Sequence, residues 1–435
     1  MRSLLLALSL LAEPPAAAPP PSARVLGLDE AVRLARENQP QLRQARAGTE
    51  AAQARADEAR APLLPQLTGT AGYARATGNL PGLPESSASA NAWAFRATLN
   101  QLVWDFGQTT GRYQAARESA ASQEASERAT QLQVLYSVRS AFFTARAGRD
   151  LVGVARETLQ NQEVHLRQVQ GFVEVGRNPE IDLAQARTDR ANAQVQLIQA
   201  QNAYETAKAQ LNQAMGVEGP TDYEVADDTL PAVEGEDAPI DVLLAEALPR
   251  RPDVVALEAQ ARAQQATLSS VRGGYWPSLG LQAGASDVGP ELSGPGLTWN
   301  WSAGATLTWN LFQGGLTSAQ SREASANLVA LEAQLDALRQ QVRLDLEQAR
   351  LPVRAAKAAL SAAAEALVNA RERLRLAEGR YQTGAGSIIE LGDAQVALTS
   401  AGAQKVQADY ALAAARALLL RALGRPAGGD QASER

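Results

Sequence analysis

The 435-residue chain contains no cysteine. That excludes disulfides, thiol catalysis, cysteine-held metals and a lipid on an amino-terminal cysteine. It has one histidine, His165, which nearly excludes a Ser-His-Asp triad or a multi-histidine metal site. Only 5 % of its residues are aromatic, and much of its 45 % hydrophobic fraction is alanine. Positive charge is also short: 41 Lys and Arg face 47 Asp and Glu, for a net charge of −6 and a pI near 5.2. Such a chain has no basic field to collect phosphates, so nucleic acid is not a partner. Beyond the first residues no run approaches the ~20 consecutive apolar residues of a transmembrane helix. A membrane would have to be crossed with strands. What the chain does have is alanine among Arg, Glu and Gln, the composition of long, closely packed helices.

Met1-Arg2-Ser3 followed by Leu4 to Ala12 reads as a short signal peptide, with cleavage expected between Ala12 and Ala23. Residues 1–23 are then a signal peptide and Pro/Ala-rich leader. The remainder is one sequence written twice. Leu28-Asp29 recurs as Ile240-Asp241, Pro40 as Pro252, and Pro65-Gln66-Leu67 as Pro277-Ser278-Leu279, each at a shift of 212. Gly107 recurs as Gly315, Gly176 as Gly384, and Ala214-Met215-Gly216 as Ala422-Leu423-Gly424, at a shift of 208. The loss of four residues between Leu67 and Gly107 belongs in a loop. The expected organisation is a first copy over 24–216 and a second over 240–424. The first comprises a helix, a β-hairpin about 64–106, a long helix about 108–173 and a helix about 180–215. The second repeats this as a helix, a hairpin about 277–312, a long helix about 316–381 and a helix about 387–423. Between them, 217–239 carries eight acidic residues, no basic ones and three prolines, and reads as a solvated acidic linker. Residues 425–435 read as a disordered polar tail.

From Leu297 to Leu311 the chain alternates without error. Leu297, Trp299, Trp301, Ala303, Ala305, Leu307, Trp309 and Leu311 form one face; Thr298, Asn300, Ser302, Gly304, Thr306, Thr308 and Asn310 form the other. Period two over this length is strand. The polar face is uncharged, as a wall lining water would be. Trp299 and Trp309, at ~3.3 Å per residue and ~45° tilt, stand roughly 23 Å apart along the membrane normal. The apolar band of an outer-membrane barrel, between its aromatic girdles, is ~25 Å tall. Ala92 to Val103 repeats the pattern, with Trp93, Phe95, Ala97 and Leu99 opposite Arg96, Thr98 and Asn100. Gln66–Ala74 and Ser278–Ser286 alternate with small residues. Four strands cannot close a barrel, and an open edge in hydrocarbon costs several kcal/mol per unpaired group. Closure therefore demands several chains: eight, twelve or sixteen strands from a dimer, trimer or tetramer.

In the long helices Val138, Ala145, Val152, Leu159, Leu166 and Val173 recur every seven residues, as do Leu346, Val353, Leu360, Leu367, Leu374 and Tyr381. A strict heptad stripe implies left-handed supercoiling against a partner, here the helix after the turn at Gly176 or Gly384. Pro352 should kink the second long helix or mark a change of packing. His165, among charged and polar neighbours, reads as solvated.

Together these features resemble the TolC-like outer-membrane efflux proteins, over about Leu26 to Gly424. The resemblance rests on Leu28-Asp29-Glu30-Ala31 with Asn38-Gln39-Pro40, on Pro65 and Pro277 where strands begin, and on Trp104-Asp105-Phe106-Gly107 and Leu311-Phe312-Gln313-Gly314-Gly315 where they end. It rests too on Val175-Gly176 with Ile181-Asp182-Leu183, and on Tyr381-Gln382-Thr383-Gly384 with Ile389-Glu390-Leu391. The resemblance implies an α+β membrane protein, a homotrimer in the Gram-negative outer membrane whose twelve-stranded β-barrel, four strands per chain, continues into a twelve-helix α-barrel reaching through the periplasm. It implies a passive exit duct of a tripartite efflux or type I secretion system, with no catalysis and no cofactor or metal. Its partners would be outer-membrane lipid, a periplasmic adaptor and an inner-membrane pump of the RND or ABC class. Glu390 and Asp393 match the acidic residues that ring the periplasmic aperture of such ducts, and Tyr381 and Asp182 match the network that holds it shut. The arginine expected at Gly386 is missing, with Arg177 as a substitute. Val175, Gly176, Arg177, Gly384, Ala385, Gly386 and Ser387 would be the helix tips that touch the adaptor, and Trp93, Trp299, Trp301 and Trp309 the lipid-facing girdle. The rival reading is a periplasmic coiled-coil adaptor or structural protein, which would have no use for tryptophans on an outward strand face.

Overall fold

The computed structural model describes residues 24–78, 88–177, 179–289 and 298–426. The leader 1–23, Leu297 and most of the 425–435 tail lie outside the described residues. The first copy runs β1 (Arg24–Leu26), α1 (Leu28–Asn38), α2 (Pro40–Arg60), β2 (Gln66–Gly78), β3 (Ala88–Trp104), α3 (Gln108–Glu174) and α4 (Glu180–Met215). After β4 (Tyr223–Val225) come α5 (Ile240–Arg250), α6 (Pro252–Gly273), β5 (Ser278–Gly289), β6 (Thr298–Thr308), α7 (Leu316–Thr383) and α8 (Ile388–Ala422).

Each copy opens with two helices where the sequence reading had one. The residue before proline avoids the helical region, and Gln39 and Arg251 are extended, with ψ of 118° and 119°. Pro40 and Pro252 then take the first helical positions, where a missing N–H costs nothing.

At 67 and 68 residues, α3 and α7 each run ~100 Å at 1.5 Å per residue. Val138 and Ala145, and likewise Leu346 and Val353, are fully buried. Lower down, the first stripe drifts to half-buried at Leu159, Leu166 and Val173, whereas the second is buried again at Leu374 and Tyr381. Helix α7 continues through Pro352. That proline lies between Arg343 and Asp345, which bond Asp241 and Arg251 of the α5–α6 pair, and Lys357, which bonds Asp237 of the linker.

The sheet order is β2-β3-β5-β6, with every neighbouring pair antiparallel. Paired residues share a face, so the register assigns the two sides. Leu67, Ala71 and Tyr73, then Trp93, Phe95, Ala97 and Leu99, then Leu279, Leu281, Ala283 and Ala285, then Trp299, Trp301, Ala303, Ala305 and Leu307 stand together. The opposite face carries Thr68, Thr70, Thr98, Asn100, Gln282, Ser286, Asn300, Ser302 and Thr306, with Arg96. Charge on the apolar face is confined, among the described residues, to Arg75, opposite Asn91, and Asp287, between Phe95 and Trp299.

The helices repeat the lateral order of the strands. Near the sheet, α2, α3, α6 and α7 pack in that sequence; toward the far end the order is α4, α3, α8 and α7. The chain is thus a slab whose one edge is α2, α4 and β2 and whose other edge is α7 and β6. Both edges are open along the whole length.

The acidic linker is solvated at most of its carboxylates, as expected, but it is also anchored. β4 pairs in parallel with β1, aligning Leu26 with Val225. Asp227 bonds Arg146 of α3 at 2.8 Å, Asp237 bonds Lys357 of α7 at 2.7 Å, and Glu236 is clasped by Arg416 of α8. Each of the three helices thus supplies a cation to it. The largest apolar core lies under this belt, around Phe142, Phe143, Leu211, Met215, Leu243, Leu346, Leu419 and Leu423.

Candidate functional site

Two regions carry chemistry that a passive duct could use: the helix tips and the two faces of the sheet. At the tips α3 and α7 end alike. Arg177 N–H donates to the Phe172 carbonyl and Gly176 N–H to that of Val173. Ala385 N–H donates to the Arg380 carbonyl and Gly384 N–H to that of Tyr381. This double bond pattern needs a left-handed residue after the helix, and Gly176 and Gly384 supply φ of 73° and 80°. The two turns lie side by side. A Cβ on Gly384 would stand 3.2 Å from the Arg177 guanidinium, which also covers the Phe172 ring at 4.8 Å.

Behind the turns Tyr381 is buried with Leu374, Ala377, Leu391 and Ala394. Its ring meets those of His165 at 5.7 Å and Phe172 at 6.2 Å. His165 is therefore not solvated: it is 6 % exposed, and its Nδ1 has no hydrogen-bond partner among the described residues. Burial lowers its pKa, against an opposing pull from Asp189 and Asp182 of α4. Asp182 thus faces the same buried group that Tyr381 touches.

Glu390 lies in the first turn of α8, where Ser387 Oγ caps its N–H at 3.1 Å. Asp393 is exposed one turn on. Arg380 reaches the Glu390 carboxylate at 3.4 Å and the Ala385 carbonyl at 3.3 Å. Gly386 packs tightly: a Cβ there would stand 3.0 Å from Arg380 Cβ and 3.1 Å from its carbonyl carbon, so a side chain would require Arg380 to shift. The cation beside the acidic site is therefore Arg380, and Arg177 bridges the turns. Ala385 is fixed only through its backbone, while Val175 is 76 % exposed at the tip of α3.

On the apolar face Trp299 and Trp301 are 71 % and 73 % exposed in the single chain. Trp93, at the same end, is half-buried against Tyr73 with ring centroids 4.7 Å apart. The alternation read through Leu311 stops earlier. Thr308 pairs with Ser278, and Pro277 before it cannot donate to a ladder. Trp309 lies just beyond the strand, where its indole N–H donates to the Tyr275 carbonyl at 3.2 Å. The same end of the sheet holds a second aromatic group that the sequence reading missed: Trp104, Phe106 and Trp276, with Phe106 stacked on Trp276 at 5.3 Å. From Trp93 to Trp104, at ~3.3 Å per residue and ~45° tilt, is roughly 25 Å along the normal. The clue was the run of aromatics at both strand–helix junctions, but their meeting needs β3 and β5 to be neighbours.

Among the described residues no helix is long and apolar enough to cross a membrane, and no group of three or more His, Asp or Glu is placed to hold a metal.

A two-faced, open four-stranded sheet built onto very long paired helices is the subunit architecture of outer-membrane channel proteins. The chain belongs to the outer membrane efflux protein family, whose profile matches residues 31–217 and 243–425. The toluene efflux pump outer membrane protein TtgC of Pseudomonas putida is 28 % identical over 295 residues, 66 % of this chain and 58 % of that one. The outer membrane efflux protein BepC of Brucella suis is 25 % identical over 304 residues, 67 % of this chain and 62 % of that one. The chain thus spans about three fifths of the length of these curated relatives. Among solved structures, VceC of Vibrio cholerae superposes with a TM-score of 0.80 at 18 % identity, over 92 % of this chain and 96 % of that one. The CmeC channel of Campylobacter jejuni gives 0.79 at 20 %, over 91 % and 85 %. At these identities the likeness concerns the fold.

Proposed function

We propose that this chain is one third of a trimeric exit duct, the outer-membrane component of a tripartite efflux or type I secretion system. One observation carries the reading: the sheet is apolar and tryptophan-bearing on one face, polar on the other, and open at both β2 and β6. Unpaired edges cannot face hydrocarbon, and the helical slab below is open along the same two flanks. Successive copies satisfy every flank at once by pairing β6 and α7 of one with β2 and α4 of the next, a head-to-tail contact that closes as a ring. Four strands per copy make twelve in a trimer, and the four long helical segments per copy make a twelve-helix tube. The apolar face meets outer-membrane lipid, and the helices extend into the periplasm.

In this reading the tips from Val175 to Arg177 and from Gly384 to Ser387 dock the adaptor, behind which stands an RND or ABC pump. Glu390 and Asp393 form the acidic aperture, and Tyr381 with Asp182 braces it around His165. Six carboxylates at a constriction favour cations and hold multivalent ones. In planar bilayers the protein should open discrete pores. The Glu390→Ala/Asp393→Ala variant should lose cation selectivity and the block by trivalent cations added on the periplasmic side. Unchanged selectivity and block would reduce Glu390 and Asp393 to solvated or capping residues. A detergent-independent, soluble protein that opens no pore would instead support the periplasmic adaptor.

A further inference from the structure

Arg96 is the one charged side chain on the polar face of the sheet among the described residues. It sits on β3 with Thr70 of β2 and Ser286 of β5 directly across, and Asn300 follows on β6. Arg96 is exposed, and no described carboxylate pairs with it. The nearest acidic position in register, Asp287, is opposite Phe95 and so on the other side of the wall. Arg96 lies eight residues from Trp104, the end of β3 that leads into α3 (104 − 96 = 8), and three from Trp93 at the far end. Among the described residues its charge is therefore uncompensated, on the water side, toward the outer rim.

We propose that in the assembled barrel Arg96 forms a ring of three guanidinium groups that makes the outer-membrane end of the lumen select for anions. The inference rests on the trimeric reading above. Twelve strands ~4.8 Å apart, tilted ~40°, enclose a lumen whose wall stands roughly 12 Å from the axis. An arginine side chain spans about half of that, so the three charges lie roughly 6 Å from the axis. That is within the ~8 Å Debye length at physiological salt, so the three fields overlap at the centre instead of being screened at the wall. Arginine keeps its charge at any working pH, and rings of Arg or Lys are how anion pores are built. The ligand class is small and organic anions. The duct would then carry negative charge at its periplasmic aperture and positive charge near its outer mouth.

The test uses purified full-length protein in planar bilayers under a potassium chloride gradient. The Arg96→Gln variant should lower the chloride-to-potassium permeability ratio about threefold relative to the unaltered protein at ~10 mM salt, where the Debye length is ~30 Å, and hardly change it at ~1 M, where it is ~3 Å. Arg96→Glu should lower it further, and Arg96→Lys should preserve it. Because the chain has no cysteine, Arg96→Cys offers a single thiol. Modification with a trimethylammonium thiosulfonate should restore the ratio, and a sulfonate reagent should not. Pores of unaltered conductance whose ratio is the same in Arg96→Gln would overturn the ring and leave the duct intact. Absence of any pore from the unaltered protein would remove the duct and the ring together.

Discussion

Glu236 is 5 % exposed and takes both donors of the Arg416 fork at 3.1 Å, Lys357 at 2.7 Å and the Val233 N–H at 3.0 Å. Burial pushes its carboxyl upward, but the Arg416 and Lys357 bonds outweigh burial and hold it at about 2. A carboxylate depressed on folding adds stability that is complete above its unfolded pKa, near 4.5. That stability is lost as pH falls from there toward 2. Glu236→Gln should therefore lower stability by about 3 kcal/mol at neutral pH, because it leaves the Arg416 charge without its partner. Thermal unfolding of the variant should then differ least from that of the unaltered protein below about pH 3. An equal difference at every pH would show that packing, and not charge, is lost. Composition revealed the linker's charge but not these partners, which lie on helices more than a hundred residues away. His165 was misread for a related reason: it is one residue off the heptad stripe at Leu166, and the Tyr381 ring that packs on it is brought in by α7.

At the scale of elements, β6 was the most legible part of the chain, since alternation between tryptophan and small polar residues specifies strand, face and setting together. Its faces give a sharp expectation. Ala303→Arg places a cation on the apolar side, in register with Ala283, and should cost about 2–4 kcal/mol near the membrane midplane. Gly304→Arg, opposite Gln282, should face water and fold with little loss. Urea unfolding in detergent or lipid compares the two, and equal damage would contradict the assigned faces. The long helices were legible from their heptads and the tight turns from Gly176 and Gly384. Less legible were the helix breaks before Pro40 and Pro252 and the end of β6 before Trp309. A period continues smoothly through such points, while pre-proline geometry and the missing donor at Pro277 decide them. The aromatic cluster of Trp104, Phe106 and Trp276 depends on β3 lying beside β5, an adjacency that no local pattern encodes.

At the scale of the molecule, the internal duplication explains why one chain forms a slab with matched layers. Each copy contributes a hairpin above and a helix pair below, and the lateral order is the same in the strands and in the helices. One flank exposes Val195 and Ile198 on α4; the other exposes Leu344, Leu351, Val368 and Leu376 on α7. An unpaired strand edge in lipid and apolar flanks in water are both costly, and a neighbouring copy removes both costs together. The most direct measurement is the mass of the detergent-solubilised protein, by native mass spectrometry or by light scattering corrected for detergent. The proposed trimer, closed through β2 and β6, predicts three chains per particle, with no smaller folded species. A stable folded monomer would contradict it.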